Sequence, residues 1–398
     1  MKTNKAYIKL IEKYNANNYL PLPVVLTRGK GAWVWDVEGK KYIDMLSSYS
    51  ALNQGHCHPK IIKALKSQAS RLTLTSRAFH HDMLAHFTKK LCKLTGYEKA
   101  LPMNSGAEAV ETAIKVSRKW GYQKKGVKKN CAEIIVCENN FHGRTTTIVG
   151  FSSEKQYRDG FGPFAPGFTI IPYNNPVALQ EAINENTIGF MVEPIQGEGG
   201  VIVPDNGYLK TCYDICKKNN VLFIADEIQT GLGRTGKLFA CDYENVRPDI
   251  VIVGKALSGG VYPVSAILCD NHIMDVLHPG DHGSTFGANP LASAIAMAAL
   301  DVVVQEKLPQ RAYKLGNWFR GRLRKIDGSA MKEVRGKGLL IGVELTKEAR
   351  PYCEALMKQG ILAKETHKMV IRFAPPLIVK KRELQWALPR IEEVLKTN

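Results

Sequence analysis

Short apolar runs alternate with longer amphipathic stretches through the middle of the chain. Two of the runs, Val221–Ala225 and Ile250–Val253, are rich in β-branched residues and contain no polar positions. This pattern is typical of strands that are buried on both faces of a parallel sheet. The first run leads into Asp226, and the second leads through Gly254 into Lys255. Because ligands bind beyond the carboxyl ends of the strands in open α/β sheets, we predict that Asp226 and Lys255 lie together at one crevice.

The same alternation of short apolar runs and amphipathic stretches continues on both sides of these two runs. Further short apolar segments predict strands at Glu133–Cys137, Phe168–Ile171, Ile188–Val192 and Val264–Cys269. Amphipathic segments predict helices at residues 177–184, 208–218 and 290–304. Strands that alternate with helices in this way favour an α/β fold, in which a mostly parallel sheet carries helices on both faces.

The two ends of the chain have a different pattern. Residues 5–14 predict an amphipathic helix, and residues 32–36 and 41–45 predict a hairpin. Beyond residue 304, short predicted strands lie between helices, which favours a smaller α+β domain. The last predicted helix, residues 381–396, contains Pro389, and we expect a kink or a break there.

The composition is that of an ordinary globular chain. Of its 398 residues, 44% are hydrophobic and 23% are charged. No apolar run approaches the roughly 18 residues of a membrane span, and the N-terminal residues lack the apolar core of a signal peptide. The cysteines number nine, and Cys137 and Cys269 lie inside apolar runs. Buried, reduced thiols of this kind favour a cytoplasmic protein.

The formal net charge of +18 raises the alternative of a nucleic-acid-binding protein. The lysines and arginines are spread thinly, however, and no basic stripe with interleaved aromatic residues is present. We therefore interpret the charge as a solvated basic surface and predict no nucleic-acid partner and no membrane partner. The tripeptide His56-Cys57-His58 has metal-ligand residue types, but no second cluster completes a site, and we predict no metal.

A carboxylate and a lysine at adjacent strand ends suit one cofactor, pyridoxal 5'-phosphate. This cofactor needs a lysine amine that bonds to its aldehyde and an acidic partner for its pyridine nitrogen. Asp226 and Lys255 would fill these roles, although a structural ion pair at a sheet edge would place the same residue types there. Ser105, Gly106 and Ala107 precede a predicted helix whose N-terminal N–H groups would accept a phosphate. Taken alone, that segment favours an ordinary helix cap.

The motifs around these residues resemble those of the class III pyridoxal-phosphate-dependent aminotransferases, which have the aspartate aminotransferase fold, fold type I. They are spread over nearly the whole chain: Asn104-Ser-Gly-Ala-Glu-Ala109, Phe141-His-Gly-Arg144, Glu193-Pro-Ile-Gln-Gly-Glu198, Asp226-Glu-Ile-Gln229, Gly254-Lys255-Ala256, His282-Gly-Ser-Thr-Phe-Gly287 and Arg372-Phe-Ala-Pro-Pro376. The resemblance implies a large domain at residues 50–297 with a seven-stranded sheet. It also implies a small domain built from both termini, residues 1–49 and 298–398.

The resemblance also implies a role for each cofactor-binding residue. Lys255 would form the Schiff base, and Asp226 would pair with the pyridine nitrogen. The other cofactor contacts would be Ser105, Gly106 and Ala107 at the phosphate, Phe141, His142 and Ile228 at the ring, and Gln229 at the ring hydroxyl. Ser284 and Thr285 would reach the phosphate of the neighbouring subunit. A homodimer is therefore implied, because each site would be incomplete in a monomer.

Within this class, the segments 48–59, 75–79 and 243–250 most resemble the ornithine-specific members. The implied reaction transfers the δ-amino group of L-ornithine to 2-oxoglutarate, which gives glutamate 5-semialdehyde and L-glutamate. An N-acetylornithine aminotransferase, or another ω-amino acid aminotransferase of the class, is the alternative, since most of the motifs are common to these enzymes. His142 departs from the tryptophan of animal ornithine aminotransferases.

The substrate residues that the resemblance implies form a switch. Arg372 would bind the α-carboxylate of glutamate or 2-oxoglutarate, and Glu198 would mask Arg372 when ornithine binds. Arg144 would hold the distal carboxylate, Tyr19 would bind the α-amino group of ornithine, and Tyr49 would line the pocket. Without the resemblance, a permanent structural salt bridge is the favoured interpretation of Glu198 and Arg372.

Overall fold

The computed structural model describes residues 3–327 and 330–397. The strands are β1 Leu26–Lys30, β2 Trp33–Asp36, β3 Lys41–Asp44, β4 Lys99–Met103, β5 Glu133–Cys137, β6 Phe168–Ile171, β7 Thr187–Val192, β8 Leu222–Asp226, β9 Ile250–Val253, β10 Ser265–Cys269, β11 Met331–Lys337, β12 Leu340–Leu345, β13 Ile361–Leu362, β14 Lys364–Thr366 and β15 Val370–Phe373.

The helices are α1 Asn4–Tyr14, α2 Ser47–Ser50, α3 Pro59–Ala69, α4 Asp82–Thr95, α5 Gly106–Trp120, α6 Thr146–Gly150, α7 Lys155–Arg158, α8 Pro176–Ala182, α9 Tyr208–Lys218, α10 Asn271–Met274, α11 Pro290–Gln305, α12 Leu308–Leu323, α13 Arg350–Lys358 and α14 Lys381–Thr397. Within residues 3–327 and 330–397, no helix is both long and apolar enough to cross a membrane.

The central sheet has seven strands in the order β4-β10-β9-β8-β7-β5-β6. β10 is antiparallel to both of its neighbours, and the pairs from β9 to β6 are parallel. Every residue of β7, β8, β9 and β10 is buried. This burial explains the unalternated apolar runs in the sequence, and it confirms the predicted α/β fold with a mostly parallel sheet of seven strands.

Two hydrophobic layers cover the faces of this sheet. On one face, Ile134 and Ile224 pack with α5 residues such as Val110 and Ile114. On the other face, neighbouring strand residues such as Phe223 pack with α9 and α8. Because successive side chains of a strand point to opposite faces of the sheet, consecutive apolar residues contribute to both hydrophobic layers. The layers hold the strand ends rigidly, which fixes the positions of the residues that follow them.

Two four-stranded sheets lie outside the central sheet. One has the order β1-β2-β3-β13, in which Ile361 near the C-terminus pairs in parallel with Ile43 near the N-terminus. The other, β11-β12-β15-β14, is antiparallel throughout. The expectation of a break at Pro389 was wrong, because α14 runs through it as one helix.

Candidate active site

Asp226 and Lys255 lie at the carboxyl ends of the adjacent parallel strands β8 and β9. Asp226 is the last residue of β8, and Lys255 begins a single 3-10 turn just after β9. Both residues line a cavity of about 180 Å³. An adjoining cavity of about 380 Å³ shares Lys255 and Gly106 with it. A more open cavity of about 760 Å³ elsewhere contains neither Asp226 nor Lys255, so size alone does not identify the site.

Lys255 has a perturbed amine and a strained backbone. Burial lowers the pKa of Lys255 to about 8, because the ammonium form is poorly solvated; the charge of Glu198 opposes this shift, and that of Arg372 adds to it. Its φ of 42° is uncommon for a residue with a side chain. A buried lysine that is partly neutral near pH 8 can serve as a nucleophile or a base.

Asp226 belongs to a buried group with His142 and Glu193. One carboxylate oxygen of Asp226 lies 2.7 Å from Nδ1 of His142, and the other accepts the backbone N–H of Ile228 at 3.1 Å. Burial opposes the imidazolium form of His142, but the hydrogen bond and charge of Asp226 outweigh it and raise the pKa of His142. His142 Nε2 is buried without a partner among the described residues. This orphaned atom and the free side of Asp226 are available to a polar ligand.

Glu193 orders the walls of the same cavity. Its two carboxylate oxygens accept the backbone N–H groups of Phe141 at 2.8 Å and Gly197 at 3.2 Å. Burial raises the pKa of Glu193 to about 7, and the charge of His142 opposes the shift. Glu193 follows β7 directly, so it lies beyond the carboxyl end of a parallel strand, where ligand sites are expected. Its role was not predicted from the sequence.

The N-terminus of α5 provides the expected anion site. The Ser105 hydroxyl accepts the N–H of Glu108 at 3.2 Å, and the Glu108 carboxylate accepts the N–H of Ser105 at 2.6 Å. Ser105, Gly106 and Ala107 line the two cavities, and the N–H groups of Gly106 and Ala107, at the first turn of the helix, have no partner within it. A helix start of this kind favours phosphate binding.

Ser284 and Thr285 line neither cavity within one chain. The Ser284 hydroxyl accepts a hydrogen bond from the Asn104 side chain at 2.9 Å, whereas Thr285 is exposed beside Phe286. Phe286 is 49% exposed. Thr285 is therefore at the surface, whereas Ser284 is half-buried and is bonded to Asn104, the residue that precedes Ser105.

Phe141, Ile228 and Gln229 form the walls of the smaller cavity. Gln229 makes its side-chain bonds to Glu198 and Arg372. Its Nε2 donates to Glu198 at 3.2 Å, and its Oε1 accepts from Arg372 at 2.7 Å. One amide hydrogen of Gln229 remains for a ligand.

Glu198 and Arg372 form a salt bridge in which Nη1 of Arg372 lies 2.9 Å from Oε1 of Glu198. Arg372 is only 1% exposed, and its Nε–H is buried without a partner in the described part of the chain. Arginine normally uses its planar fork to bind a carboxylate with two parallel bonds. Here it makes one bond to Glu198 and one to a neutral amide, so it retains capacity for another anion.

The remaining predicted substrate residues differ in their contacts and exposure. Tyr49 lies in the turn Ser47–Ser50, where all four residues have positive φ, and its ring is 5.5 Å from the Arg372 guanidinium. Tyr19 is 78% exposed. Arg144 is exposed and stacks on the Tyr157 ring at 3.6 Å. The sequence did not predict a role for Tyr157 or for Thr366. The Thr366 hydroxyl donates to the carbonyl of Glu198 at 2.7 Å.

These residues fit pyridoxal phosphate. They offer an amine with a lowered pKa, a carboxylate with a free side, a helix start with unpaired N–H groups, and an aromatic and an aliphatic side chain as opposing walls. The orphaned buried Nε2 of His142 shows that the cavity is incomplete as protein alone.

The whole chain is similar to known aminotransferases. Residues 14–395 match the family model for class III aminotransferases. An ornithine aminotransferase from Geobacillus sp. is 60% identical over 394 residues, which covers 99% of each chain. A solved ornithine aminotransferase from Toxoplasma gondii superposes with a TM-score of 0.98 at 47% identity, covering 99% of this chain and 94% of the other. A solved acetylornithine aminotransferase from Elizabethkingia anophelis gives 0.91 at 53% identity, covering 99% of both. Because the family model matches residues 14–395 and a relative at 60% identity spans 99% of the chain, the chain belongs to the class III aminotransferases.

Proposed function

We propose that this chain is an ornithine δ-aminotransferase that uses pyridoxal phosphate and 2-oxoglutarate. The observation that carries the proposal is the buried Arg372, which has spare donor capacity and is masked by Glu198 beside Lys255. Relatives with this function at 60% identity support it. The Toxoplasma gondii enzyme is described with partial occupancy of PLP at its active site.

When bound, pyridoxal phosphate supplies an aldehyde that receives the amino group and a ring that takes up the electrons released as a proton leaves carbon. Lys255 would hold the aldehyde end of the cofactor, and its Nζ would carry the proton that leaves the substrate carbon. Its pKa of about 8 suits a base that works near neutral pH. Asp226 would hold the protonated ring nitrogen, and its bond to His142 fixes the orientation of its carboxylate.

The two half-reactions need different substrate ends near Lys255. Ornithine brings an uncharged carbon chain next to its δ-amine, whereas glutamate brings its α-carboxylate. Glu198 neutralises Arg372 in the first case. In the second case, Glu198 turns away and Arg372 binds the α-carboxylate through its fork. Arg144 has no carboxylate partner within the described residues, so it is available to the distal carboxylate of either substrate, and Tyr19 is available to the α-amino group of ornithine.

Glu198→Ala should shift the enzyme from δ-amine towards α-amine chemistry. It leaves Arg372 unmasked, and a charge-assisted hydrogen bond is worth about 1.5–3 kcal/mol, so we expect the ratio of ornithine to glutamate half-reaction rates to fall about ten-fold or more. Single-turnover absorbance changes of the cofactor measure both rates. Glu392→Ala removes a carboxylate paired with Lys396 on α14, outside the site, and is the matched control. An unchanged ratio in Glu198→Ala would reject the switch.

A paired assay tests the function itself. Purified protein with pyridoxal phosphate and 2-oxoglutarate receives either L-ornithine or N-acetylornithine, and semialdehyde formation is followed. We expect a clear preference for ornithine. A preference for N-acetylornithine would indicate that the chain is an acetylornithine aminotransferase, as the Elizabethkingia anophelis neighbour is named. It would also show that Tyr19 and Tyr49 do not select the free α-amine.

We further propose that the active form is a homodimer in which Ser284 and Thr285 approach the partner's phosphate site. On α1, Tyr7, Leu10, Ile11 and Tyr14 are exposed at helical spacing on one face, and Phe286 is exposed beside Thr285. Such a stripe normally packs against another surface. Sedimentation equilibrium that gave a monomer would overturn this proposal.

Two further assignments complete the proposal. We assign residues 1–49 and 298–398 to a small domain and residues 50–297 to a large domain, since β3 and β13 pair across the two terminal segments. We also assign the protein to the cytoplasm, because all nine cysteines are free thiols and six of them are buried. Limited proteolysis and cell fractionation test the two assignments respectively.

A further inference from the structure

The backbone that follows Glu198 lies across one face of the sheet β11-β12-β15-β14. Arg335 on β11 pairs with Gly342 on β12, and Gly342 pairs with Arg372 on β15. Directly paired residues of antiparallel strands point to the same face. The two arginines therefore flank a glycine on the face of the sheet that contacts the Glu198 segment.

Gly342 makes room for that segment. A Cβ at position 342 would lie 3.0 Å from the Val201 Cβ and 3.2 Å from the Gly200 carbonyl oxygen. Both distances are tighter than ordinary van der Waals contact. The segment Gly199–Val201 thus lies directly on the sheet, in the space between the two arginine side chains.

Arg335 holds the segment by its backbone. Its Nε lies 3.1 Å from the carbonyl oxygens of both Gly200 and Val201, and its Nη2 lies 2.7 Å from that of Gly200. Its Nη1 is bound to Glu333 and Glu344, so the guanidinium is fixed from both sides. The side chain is only 11% exposed.

The held conformation is a strained one. Val201 has a φ of 54° and is fully buried, although β-branched residues are unfavourable in left-handed backbone. Such a conformation persists only where surrounding contacts impose it. The Arg335 guanidinium, which donates to two successive carbonyls, is the side-chain contact on this backbone. The Val201 N–H also donates to the Gly197 carbonyl at 3.2 Å, and Ile202 exchanges two backbone bonds with Gln196. A further tether is the hydroxyl of Thr366, which donates to the Glu198 carbonyl at 2.7 Å.

We infer that Arg335 is a positioning residue for substrate choice. It keeps the Glu198 segment in its strained form, and this places the Glu198 carboxylate on Arg372. When the Arg335 guanidinium no longer binds the Gly200 and Val201 carbonyls, the backbone of Val201 relaxes and the Glu198 carboxylate moves off Arg372. The site then favours a substrate with an α-carboxylate near the reacting carbon over the carbon chain of ornithine. The inference rests on the proposed function, because it deepens the switch between the two substrates.

The test uses Arg335→Gln in the cofactor-loaded enzyme. Gln keeps a polar side chain but cannot span both carbonyls. Calorimetry measures the affinity for glutarate, a dicarboxylate with no amino or keto group that reports on unmasked Arg372 without reacting. We expect tighter glutarate binding by about five-fold or more, with a matching fall in the ratio of ornithine to glutamate half-reaction rates. Gly342→Ala adds a methyl group too close to Val201 from the side of the sheet. It should therefore also tighten glutarate binding and lower the ratio of ornithine to glutamate half-reaction rates.

Lys332→Met is the matched control, since Lys332 binds the same Glu344 carboxylate without touching the segment. It should leave both quantities unchanged. If Arg335→Gln melts at the wild-type temperature and alters neither glutarate affinity nor the ratio, Arg335 has no positioning role. If Arg335→Gln is poorly folded, Gly342→Ala decides the question by the same two measurements. If the wild-type enzyme shows no ornithine half-reaction, the proposed function fails, while glutarate affinity still tests the positioning role separately.

Discussion

Lys255→Ala is expected to slow the ornithine half-reaction by at least about 10⁴-fold, because general acid–base catalysis alone contributes about 10²–10⁴-fold. Nζ of Lys255 is the amine at the end of β9, and burial holds its pKa near 8. Its removal also deletes the covalent attachment of the cofactor. The measurements are single-turnover rates and mass spectrometry after borohydride reduction, which should find the cofactor on Lys255 in the wild type alone.

Two companion variants make this prediction specific. Lys255→Arg retains a positive charge but offers no amine for the aldehyde, so it should be as inactive as the alanine variant. Lys125→Met removes another half-buried lysine, one that donates to the Thr187 carbonyl at 2.6 Å outside the site, and should keep the cofactor attached. If Lys255→Ala retained covalent cofactor and substantial turnover, the assignment of Lys255 would be wrong.

The central strands were predictable because their burial leaves a simple pattern. β5, β6 and β9 have the predicted bounds, since each is a short, mostly apolar run that stops at a charged residue, a glycine or a proline: Glu138 after β5, Pro172 after β6 and Gly254 after β9. β4 and β11 were not predicted. β4 contains Pro102 at the sheet edge, and the sequence of β11 is mostly polar or charged because it is also an edge strand. Edge strands lack the two buried faces that produce the pattern.

α14 shows a limit of local rules. Proline in the helix interior removes one backbone hydrogen bond and normally kinks the helix. In this helix, Leu384, Ala387, Ile391 and Val394 are buried in the hydrophobic core around Pro389. Packing on one face of the helix holds it together, and that contribution cannot be read from position 389 alone.

The candidate site also has a part that the sequence predicts and a part that it does not. The strand-end rule placed Asp226 and Lys255 at one cavity from the residues alone. The pairing of Glu198 with Arg372 came from the family resemblance, because 174 positions separate the two residues. The tether from Thr366 to Glu198 spans 168 positions. No spacing or period encodes such contacts, since they arise only when separate sheets pack together.

Asp226→Asn is expected to lower turnover by about 10²–10³-fold, the usual cost of removing one fixed electrostatic partner. The amide keeps the size of the side chain and one acceptor for the Ile228 N–H, so the fold should persist. It cannot hold a proton on the ring nitrogen by charge. The hydrogen bond and charge of Asp226 raise the pKa of His142, so the variant should also lower that pKa, which ¹⁵N NMR of the imidazole measures.

This second readout separates an electrostatic role from a structural one. Asp249→Asn alters another buried carboxylate, one that accepts the Phe223 N–H at 2.9 Å and pairs with Lys217 outside the site. It should affect the melting temperature more than the pKa of His142 or the turnover. If Asp226→Asn turned over at nearly the wild-type rate, Asp226 would not be the partner of the ring nitrogen. If turnover fell but the pKa of His142 stayed raised, Glu193, whose charge also raises that pKa, would be the anion that sets the protonation of His142.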